Sequence, residues 1–169
     1  MSAWRAGQGR PGPQSCSAGM RDGCSIVLLL LATSGYAVFV TNLHAACFRC
    51  LCHAANECST NRACSMGYCG PFSISHIYWA DAGRHVLPDD HPNPKEAYET
   101  CVQDYDCATN TVTGYMEKYG RDCNGDGVTN CDDYVMIHYN GGGSCEKPIT
   151  DKLYKKRYNS CRAAAIAVD

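Results

Sequence analysis

Oxygen-bearing residues recur between Asp122 and Asp133 with the spacing of a calcium-binding loop. They fill the first, third, fifth and twelfth places of the loop, and Gly127 supplies the turn at the sixth. Such oxygen atoms suit a hard cation, so the sequence predicts calcium ligands at Asp122, Asn124, Asp126, the Val128 carbonyl and Asp133. A metal-free turn constrained by cysteines is the alternative, because Asn and Asp also favour turns. No motif in the chain requires another cofactor.

Twelve cysteines lie between residues 47 and 161, and six of them fall within 23 residues. Pairs spaced Cys-x-x-Cys occur in zinc sites, whereas dense cysteines in a secreted chain are typical of a disulfide framework. The twelve are Cys47, Cys50, Cys52, Cys58, Cys64, Cys69, Cys101, Cys107, Cys123, Cys131, Cys145 and Cys161. The compartment decides which chemistry applies, and the N-terminal segment indicates the compartment.

The N-terminal segment contains a short apolar run that predicts a secretory signal peptide. Residues 26–33 are apolar, Arg21 precedes them and small residues follow. The run is shorter than the roughly 20 apolar residues of a membrane span, which favours a signal peptide over a membrane anchor. We expect an upstream extension over 1–19, a signal peptide over 20–37 with cleavage near Ala45 as the weaker alternative, and a single domain over 38–169.

Secretion bears on both the cysteines and the charge of the mature chain. Cleavage removes Cys16 and Cys24, and the remaining even number of cysteines is expected to form disulfides in an oxidising compartment. Cleavage also leaves 12 basic and 16 acidic residues, a formal charge of −4. An acidic chain of this kind argues against a nucleic-acid partner, and a cleaved leader argues against stable membrane insertion. The expected location is extracellular.

Hydrophobic periodicity and turn residues predict an α+β domain that is mainly α, with short helices and a small β element. Helices are predicted over residues 50–58, 95–105, 107–119 and 131–139. The segment FSISHIYW at 72–79 predicts a strand or hairpin leg. The proline-rich, charged residues 81–94 predict an exposed loop, and a polar tail pinned by Cys145 and Cys161 closes the domain.

Six motifs in the chain resemble those of the invertebrate-type lysozymes, the family that includes the destabilases. They are C-F-R-C-L-C at 47–52, C-G-P-F-S-I at 69–74, Y-W-A-D-A-G-R at 78–84, C-V-Q-D-Y-D-C-A at 101–108, G-Y-M-E-K-Y at 114–119 and I-H-Y-N-G-G at 137–142. The match spans Cys47 to Cys161. The resemblance implies a small disulfide-rich lysozyme-like fold, a cleft for the glycan chains of peptidoglycan, and retaining muramidase chemistry.

Two positions to which the resemblance assigns catalysis carry no carboxylate here. Glycoside hydrolysis of this kind needs an acid with a raised pKa and a second carboxylate as nucleophile or charge stabiliser. By resemblance, the acid position is Ala55, and the second carboxylate belongs in the loop between Cys64 and Cys69, which holds none. Glu57 lies about 200° around a helix from Ala55. Glu57 and Asp81 are the weak candidates for displaced carboxylates.

Further site residues also come from the resemblance. His138 matches the base of the Ser–His pair attributed to destabilase isopeptidase activity, but no serine matches the nucleophile. Phe72, Tyr78, Trp79 and His138 are expected to bind glycan in the cleft. For Tyr78 and Trp79, a buried aromatic pair is an equal alternative.

Three functions are therefore compatible with the sequence. The first is a secreted lysozyme-family protein directed at bacterial peptidoglycan, in defence or digestion, with weak or absent muramidase turnover. The second is an active lysozyme that hydrolyses β-1,4 glycosidic bonds through displaced carboxylates. The third is a non-catalytic structural or partner-binding disulfide domain.

Overall fold

The computed structural model describes residues 40–59 and 64–166. The upstream extension and the signal peptide expected over residues 1–37 lie outside the described residues. No helix within these two described ranges is long and apolar enough to cross a membrane.

The described residues form six helices and one two-stranded antiparallel sheet, which confirms the predicted α+β, mainly α class. In chain order, they are α1 (Ala45–Asn56), β1 (Tyr68–Cys69), β2 (Ile74–Ser75), α2 (His76–Asp81), α3 (Lys95–Gln103), α4 (Tyr105–Tyr119), α5 (Cys131–Asn140) and α6 (Lys152–Ile166). The predicted helices after residue 94 correspond to α3, α4 and α5. Helix α1 begins earlier than predicted because the His44 side chain accepts a hydrogen bond from the Cys47 amide and caps it.

Two predicted segments differ from the structure. The strand predicted over 72–79 is wrong beyond Ser75, because the Ser75 hydroxyl accepts a hydrogen bond from the Tyr78 amide at 3.2 Å and starts helix α2. The segment predicted as a polar tail contains the 15-residue helix α6. Tyr154 and Tyr158 are buried one turn apart on that helix.

The β-hairpin is fixed against α3 by a close approach of the two backbones. Gly70 has φ +75°, and a Cβ atom at this position would lie 1.7 Å from the Val102 carbonyl oxygen. The Tyr98 hydroxyl donates a hydrogen bond to the Ile74 carbonyl at 2.6 Å. The hairpin register, Cys69 opposite Ile74, is therefore anchored at both strands.

One hydrophobic cluster unites the helices and the hairpin. Its largest fully buried side chains include Leu51 of α1, Ile74 of the hairpin, Val112 of α4 and Ile137 of α5. Burying side chains of this size stabilises the fold by about 1.5–3 kcal/mol each relative to leaving them exposed. The core therefore lies directly beneath the end of α1 and the hairpin.

All twelve cysteines of the described domain are paired, which confirms the predicted disulfide framework and leaves none of them as a zinc ligand. The bonds are Cys47–Cys131, Cys50–Cys161, Cys52–Cys58, Cys64–Cys69, Cys101–Cys107 and Cys123–Cys145. The first two span 84 and 111 residues and tie α1 to α5 and α6. In chain-entropy terms, such long loops gain the most from cross-linking, roughly 4–5 kcal/mol each.

Candidate active site

Ala55, at the position that the resemblance assigns to the catalytic acid, lies in the last turn of α1 beside the hairpin. The Ser73 hydroxyl donates a long hydrogen bond, 3.5 Å, to the Ala55 carbonyl. One residue on, the Asn56 amide donates to the Gly70 carbonyl at 3.3 Å. The structure therefore places this position at the junction of helix and hairpin, where the side chain present is a methyl group that cannot transfer a proton.

Glu57 leaves the helix in the left-handed conformation, with φ 51°, and its side chain turns towards α6. Its carboxylate lies 3.0 Å from the Arg157 guanidinium, and 61% of the side chain is exposed. Glu57 therefore lacks the apolar setting that a general acid requires, and its neighbour is α6 rather than the hairpin beside Ala55.

The loop that would hold the second carboxylate is a tight turn closed by the Cys64–Cys69 bond. Ser65 and Tyr68 exchange backbone hydrogen bonds of 2.8 and 2.9 Å across it. Met66 at its tip is 94% exposed. A loop this short places no carboxylate beside Ala55.

Asp81 ends helix α2 and is held by two residues of α4. Its carboxylate accepts hydrogen bonds from the Lys118 ammonium at 2.9 Å and from the Tyr119 hydroxyl at 3.1 Å. The hydrogen bond from Lys118 and then that from Tyr119 lower the pKa of the Asp81 carboxyl. The structure therefore keeps Asp81 ionised and ties it to α4.

His138 and Tyr78 come together with the backbone of Phe72. The His138 Nε2–H donates to the Phe72 carbonyl at 2.8 Å, and its Nδ1 lies 3.1 Å from the Tyr78 hydroxyl. Burial lowers the pKa of His138 to about 4. A neutral ring has one N–H and one lone pair, so Nδ1 accepts from the Tyr78 O–H. Both ring nitrogens therefore form hydrogen bonds, and His138 links α5 to α2 and to the hairpin. No lone pair of the ring is free to act as a catalytic base.

Three of the residues expected to bind glycan belong to the core. Phe72 and Trp79 are 0% and 2% exposed, and Tyr78 is buried and stacked on Tyr115 with ring centroids 3.7 Å apart. The Trp79 indole N–H donates to the His85 carbonyl at 2.6 Å. Their positions therefore give no support to the glycan-binding prediction, because the rings present no open face to a sugar.

Two other aromatic residues near the hairpin are exposed, and sequence reasoning did not single them out. Tyr68 is 54% exposed on β1, and Tyr105 is 42% exposed at the start of α4. The Tyr105 ring packs 5.6 Å from the ring of Phe72. The signal that could have found Tyr105 is its place directly after the helix cap Asp104. A side chain in the first turn of a helix often projects into solvent.

In the predicted calcium loop, the side-chain oxygen atoms accept hydrogen bonds from backbone amides. Asp122 accepts hydrogen bonds from the amides of Gly125 at 2.7 Å and Gly127 at 2.8 Å, and these bonds, that from Gly127 first, lower the pKa of Asp122. The fully buried Asp133 carboxylate accepts from Cys123, Asn124 and Asn130. The Val128 amide donates to Asp126. Within the described ranges, no group of three or more His, Cys, Asp or Glu residues could hold a metal ion. The geometry favours the metal-free turn and gives the calcium prediction no support.

Comparisons with known proteins agree with the family resemblance. The Destabilase family model matches residues 44–161. A lysozyme of Magallana gigas is 30% identical over 137 residues, covering 76% of this chain and 88% of the relative. A lysozyme of Ostrea edulis is 31% identical over 132 residues, covering 75% of this chain and 87% of the relative.

Two solved structures share the fold. A chain of the crystal structure of Aeromonas hydrophila PliI in complex with Meretrix lusoria lysozyme matches with a TM-score of 0.53 and 24% identity, covering 68% of this chain and 87% of its own length. Tapes japonica lysozyme matches with a TM-score of 0.51 and 22% identity, covering 70% and 87%. The disulfide-tied helices, the hairpin beside α1 and these matches together place the chain in the destabilase family of invertebrate-type lysozymes.

Proposed function

We propose that this chain is a secreted lysozyme-family protein that binds bacterial peptidoglycan, in defence or digestion, with weak or absent muramidase turnover. The family membership and the relatives named lysozyme support the peptidoglycan target. We infer the low turnover from Ala55, because its methyl side chain stands at the junction of α1 and the hairpin, at the position that the resemblance assigns to the acid.

The missing groups have a calculable effect on the rate. A positioned general acid contributes roughly 100- to 10,000-fold, because it protonates the leaving oxygen as the glycosidic bond breaks. The residues between Cys64 and Cys69 offer no carboxylate to stabilise the oxocarbenium-like transition state or to attack it. The loss of both groups predicts turnover near the background of the assay.

Displaced carboxylates do not replace the missing groups. Glu57 is paired with the Arg157 guanidinium, and Asp81 is paired with the Lys118 ammonium. The hydrogen bonds from Lys118 and Tyr119 lower the pKa of Asp81, whereas a general acid must hold its proton near neutral pH. Glu57 lacks the apolar setting of a general acid, since 61% of its side chain is exposed. These contacts weigh against the alternative of an active lysozyme that uses Glu57 and Asp81.

Binding to glycan is assigned to the exposed rings of Tyr68 and Tyr105. Both lie near the hairpin that borders Ala55, and an exposed ring can stack on the apolar face of a sugar. Tyr105 is supported from below by Phe72, which limits its motion. Rigid aromatic side chains lose little conformational entropy on binding.

Secretion is supported by the signal peptide that the sequence predicts over residues 20–37 and by the disulfides. Six bonds in a domain of this size are typical of proteins that fold in an oxidising compartment. Expression in cultured cells, followed by N-terminal sequencing of the protein in the medium, tests both secretion and cleavage after Ala37.

Sedimentation with insoluble peptidoglycan tests the binding. We expect the oxidised protein to sediment with the polymer, and Tyr68→Ser with Tyr105→Ser to weaken the affinity at least about tenfold, since each stacked ring contributes about 1 kcal/mol. Ile77→Ser with Leu153→Ser is the matched control, because it also removes two exposed apolar side chains. Failure of the unmodified protein to sediment would favour the structural or partner-binding domain.

A further inference from the structure

An open groove of about 880 Å³ lies between α1 and α6, on a surface that the proposed glycan contacts do not use. Two arginines and two histidines are among the described residues that line it: Arg49, His53, His44 and Arg162. No Asp or Glu is among those lining residues. We call this the α1–α6 groove.

The walls of the α1–α6 groove are held in place by covalent bonds. Cys50–Cys161 joins α1 directly to α6, and Cys47–Cys131 joins α1 to the start of α5. Cys47 and Cys50 are buried. A groove braced in this way needs little reordering when a ligand binds, which favours affinity.

Positive charge is concentrated on the two helices that form the groove. Helices α1 and α6 together contain six Arg and Lys residues and no Asp or Glu. The remaining described residues contain five Arg and Lys against fifteen Asp and Glu. Of these six residues, Arg49 and Arg162 line the groove, and the other four lie elsewhere on α6. The groove therefore lies between the two basic helices of an otherwise acidic described domain. This uneven distribution of charge makes the two helices electrostatically complementary to a polyanion.

Four of these six cations form no ion pair within the described ranges: Arg49, Lys152, Lys155 and Lys156. Arg49 and Lys155 are both exposed. Lys155 is not among the lining residues, but it lies two turns before Arg162 on the same face of α6, and Arg162 does line the groove. The Arg162 guanidinium is paired with the Asp132 carboxylate at 2.6 Å. Arg49 and His53 are four residues apart and share a face of α1. Cations thus occur on both walls of the groove.

We propose that the α1–α6 groove binds the phosphate-rich polymer attached to Gram-positive cell walls. A polymer of repeated phosphodiesters can contact cations on both walls at once, and the planar guanidinium of arginine matches phosphate oxygens in pairs. The polymer would hold the protein at the wall while the hairpin side contacts the glycan. This inference rests on the proposed function, since it specifies a second component of the same target.

Cell walls with and without the polymer test the inference. Walls that retain the phosphate polymer are compared with the same walls stripped by hydrofluoric acid. We expect Arg49→Glu with Lys155→Glu to weaken binding to intact walls at least about tenfold and to leave binding to stripped walls within about twofold. The matched control is Lys95→Glu with Lys147→Glu, which changes the net charge equally on exposed residues outside α1 and α6. Equal melting temperatures verify that all variants fold.

Salt provides a second measurement. If about three phosphates are contacted, the affinity for intact walls falls roughly 20-fold between 50 and 200 mM salt, because each contact releases a counterion. Binding to stripped walls should change much less.

Several results would overturn the inference. Equal losses in the control variant would reduce the effect to net charge, and equal binding to intact and stripped walls would show that the polymer is not bound. A loss on anionic phosphatidylglycerol vesicles without a loss on intact walls would assign the groove to lipid headgroups. If the unmodified protein binds intact walls but not stripped walls, the proposed glycan binding is contradicted, whereas the polymer inference is supported.

Discussion

The half-buried histidine His138 makes the stability of this domain depend on pH in a defined window. Its pKa is about 4 in the folded protein because of burial, against an ordinary value near 6.5 when the chain unfolds. A base with a lowered folded pKa contributes its full stability above the unfolded pKa and loses it as pH falls towards the folded pKa. Between pH 7.5 and 4, this amounts to a loss of about 3 kcal/mol.

The variant His138→Gln isolates this effect. Glutamine can keep an amide N–H towards Phe72 and an oxygen towards the Tyr78 hydroxyl, but it cannot take up a proton. We expect urea unfolding at a series of pH values to show a flatter curve for His138→Gln, by about 3 kcal/mol between pH 7.5 and 4. His91→Gln, in the exposed loop, is the matched control and should follow the unmodified protein.

The carboxyl groups with lowered pKa, among them Asp81 and Asp122, keep most of their stabilising contribution within this window and lose it mainly below pH 4, so they do not mimic the effect. If His138→Gln loses stability with falling pH as steeply as the unmodified protein, the lowered pKa of His138 in the folded protein is refuted.

Three further perturbations test the structure. Gly70→Ala should destabilise by at least about 2 kcal/mol in urea unfolding, because its Cβ would overlap the Val102 carbonyl, whereas Gly125→Ala, with a similar φ but open space, should cost about 1 kcal/mol. Asp133→Asn should lower the free energy of unfolding by about 3 kcal/mol, because the buried Asp133 carboxylate accepts hydrogen bonds from three backbone amides. Asp126→Asn, at an exposed position, should lower it by under about 1 kcal/mol. The melting temperature should be the same in chelator and in about 10 mM calcium, and a rise with calcium would restore the calcium site.

Helices α3, α4 and α5 could be predicted from the sequence because their signals are local. Pro94 and Asp104 stand at the starts of α3 and α4, and Gly120 ends α4. These residues combine with a regular apolar face, so propensity, capping and pattern agree. Where these local signals agree, the predicted helix is also present in the folded protein.

Helices α2 and α6 could not be predicted because tertiary contacts decide them. The alternation in residues 72–79 resembles a strand, but the Ser75 cap and the burial of Trp79 against α3 favour a helix from His76. Helix α6 has a polar, basic composition, and only Tyr154, Tyr158 and Cys161 mark its inner face. Its position depends on a disulfide to Cys50 that is distant in sequence.

In the candidate site too, some features could be predicted from the sequence and others could not. The sequence could predict that Ala55 stands at the position that the resemblance assigns to the acid, because the cysteines on either side fix the alignment. The burial of Phe72 and Trp79 could not, since an aromatic pair suits a cleft and a core equally well. The partner of Glu57 was also hidden, because Arg157 lies 100 residues away on a helix that was not predicted.

Release of reducing ends from purified peptidoglycan tests the central claim, catalytic silence, most directly. We expect the unmodified protein to remain at background, and Ala55→Glu combined with a carboxylate inserted between Cys64 and Cys69 to rise at least about tenfold above it. The matched control, Ala164→Glu, adds a carboxylate on α6, away from the hairpin, and should stay at background. Turnover by the unmodified protein at the rate of an active lysozyme would contradict the claim that Ala55 and the short hairpin leave the site without its acid.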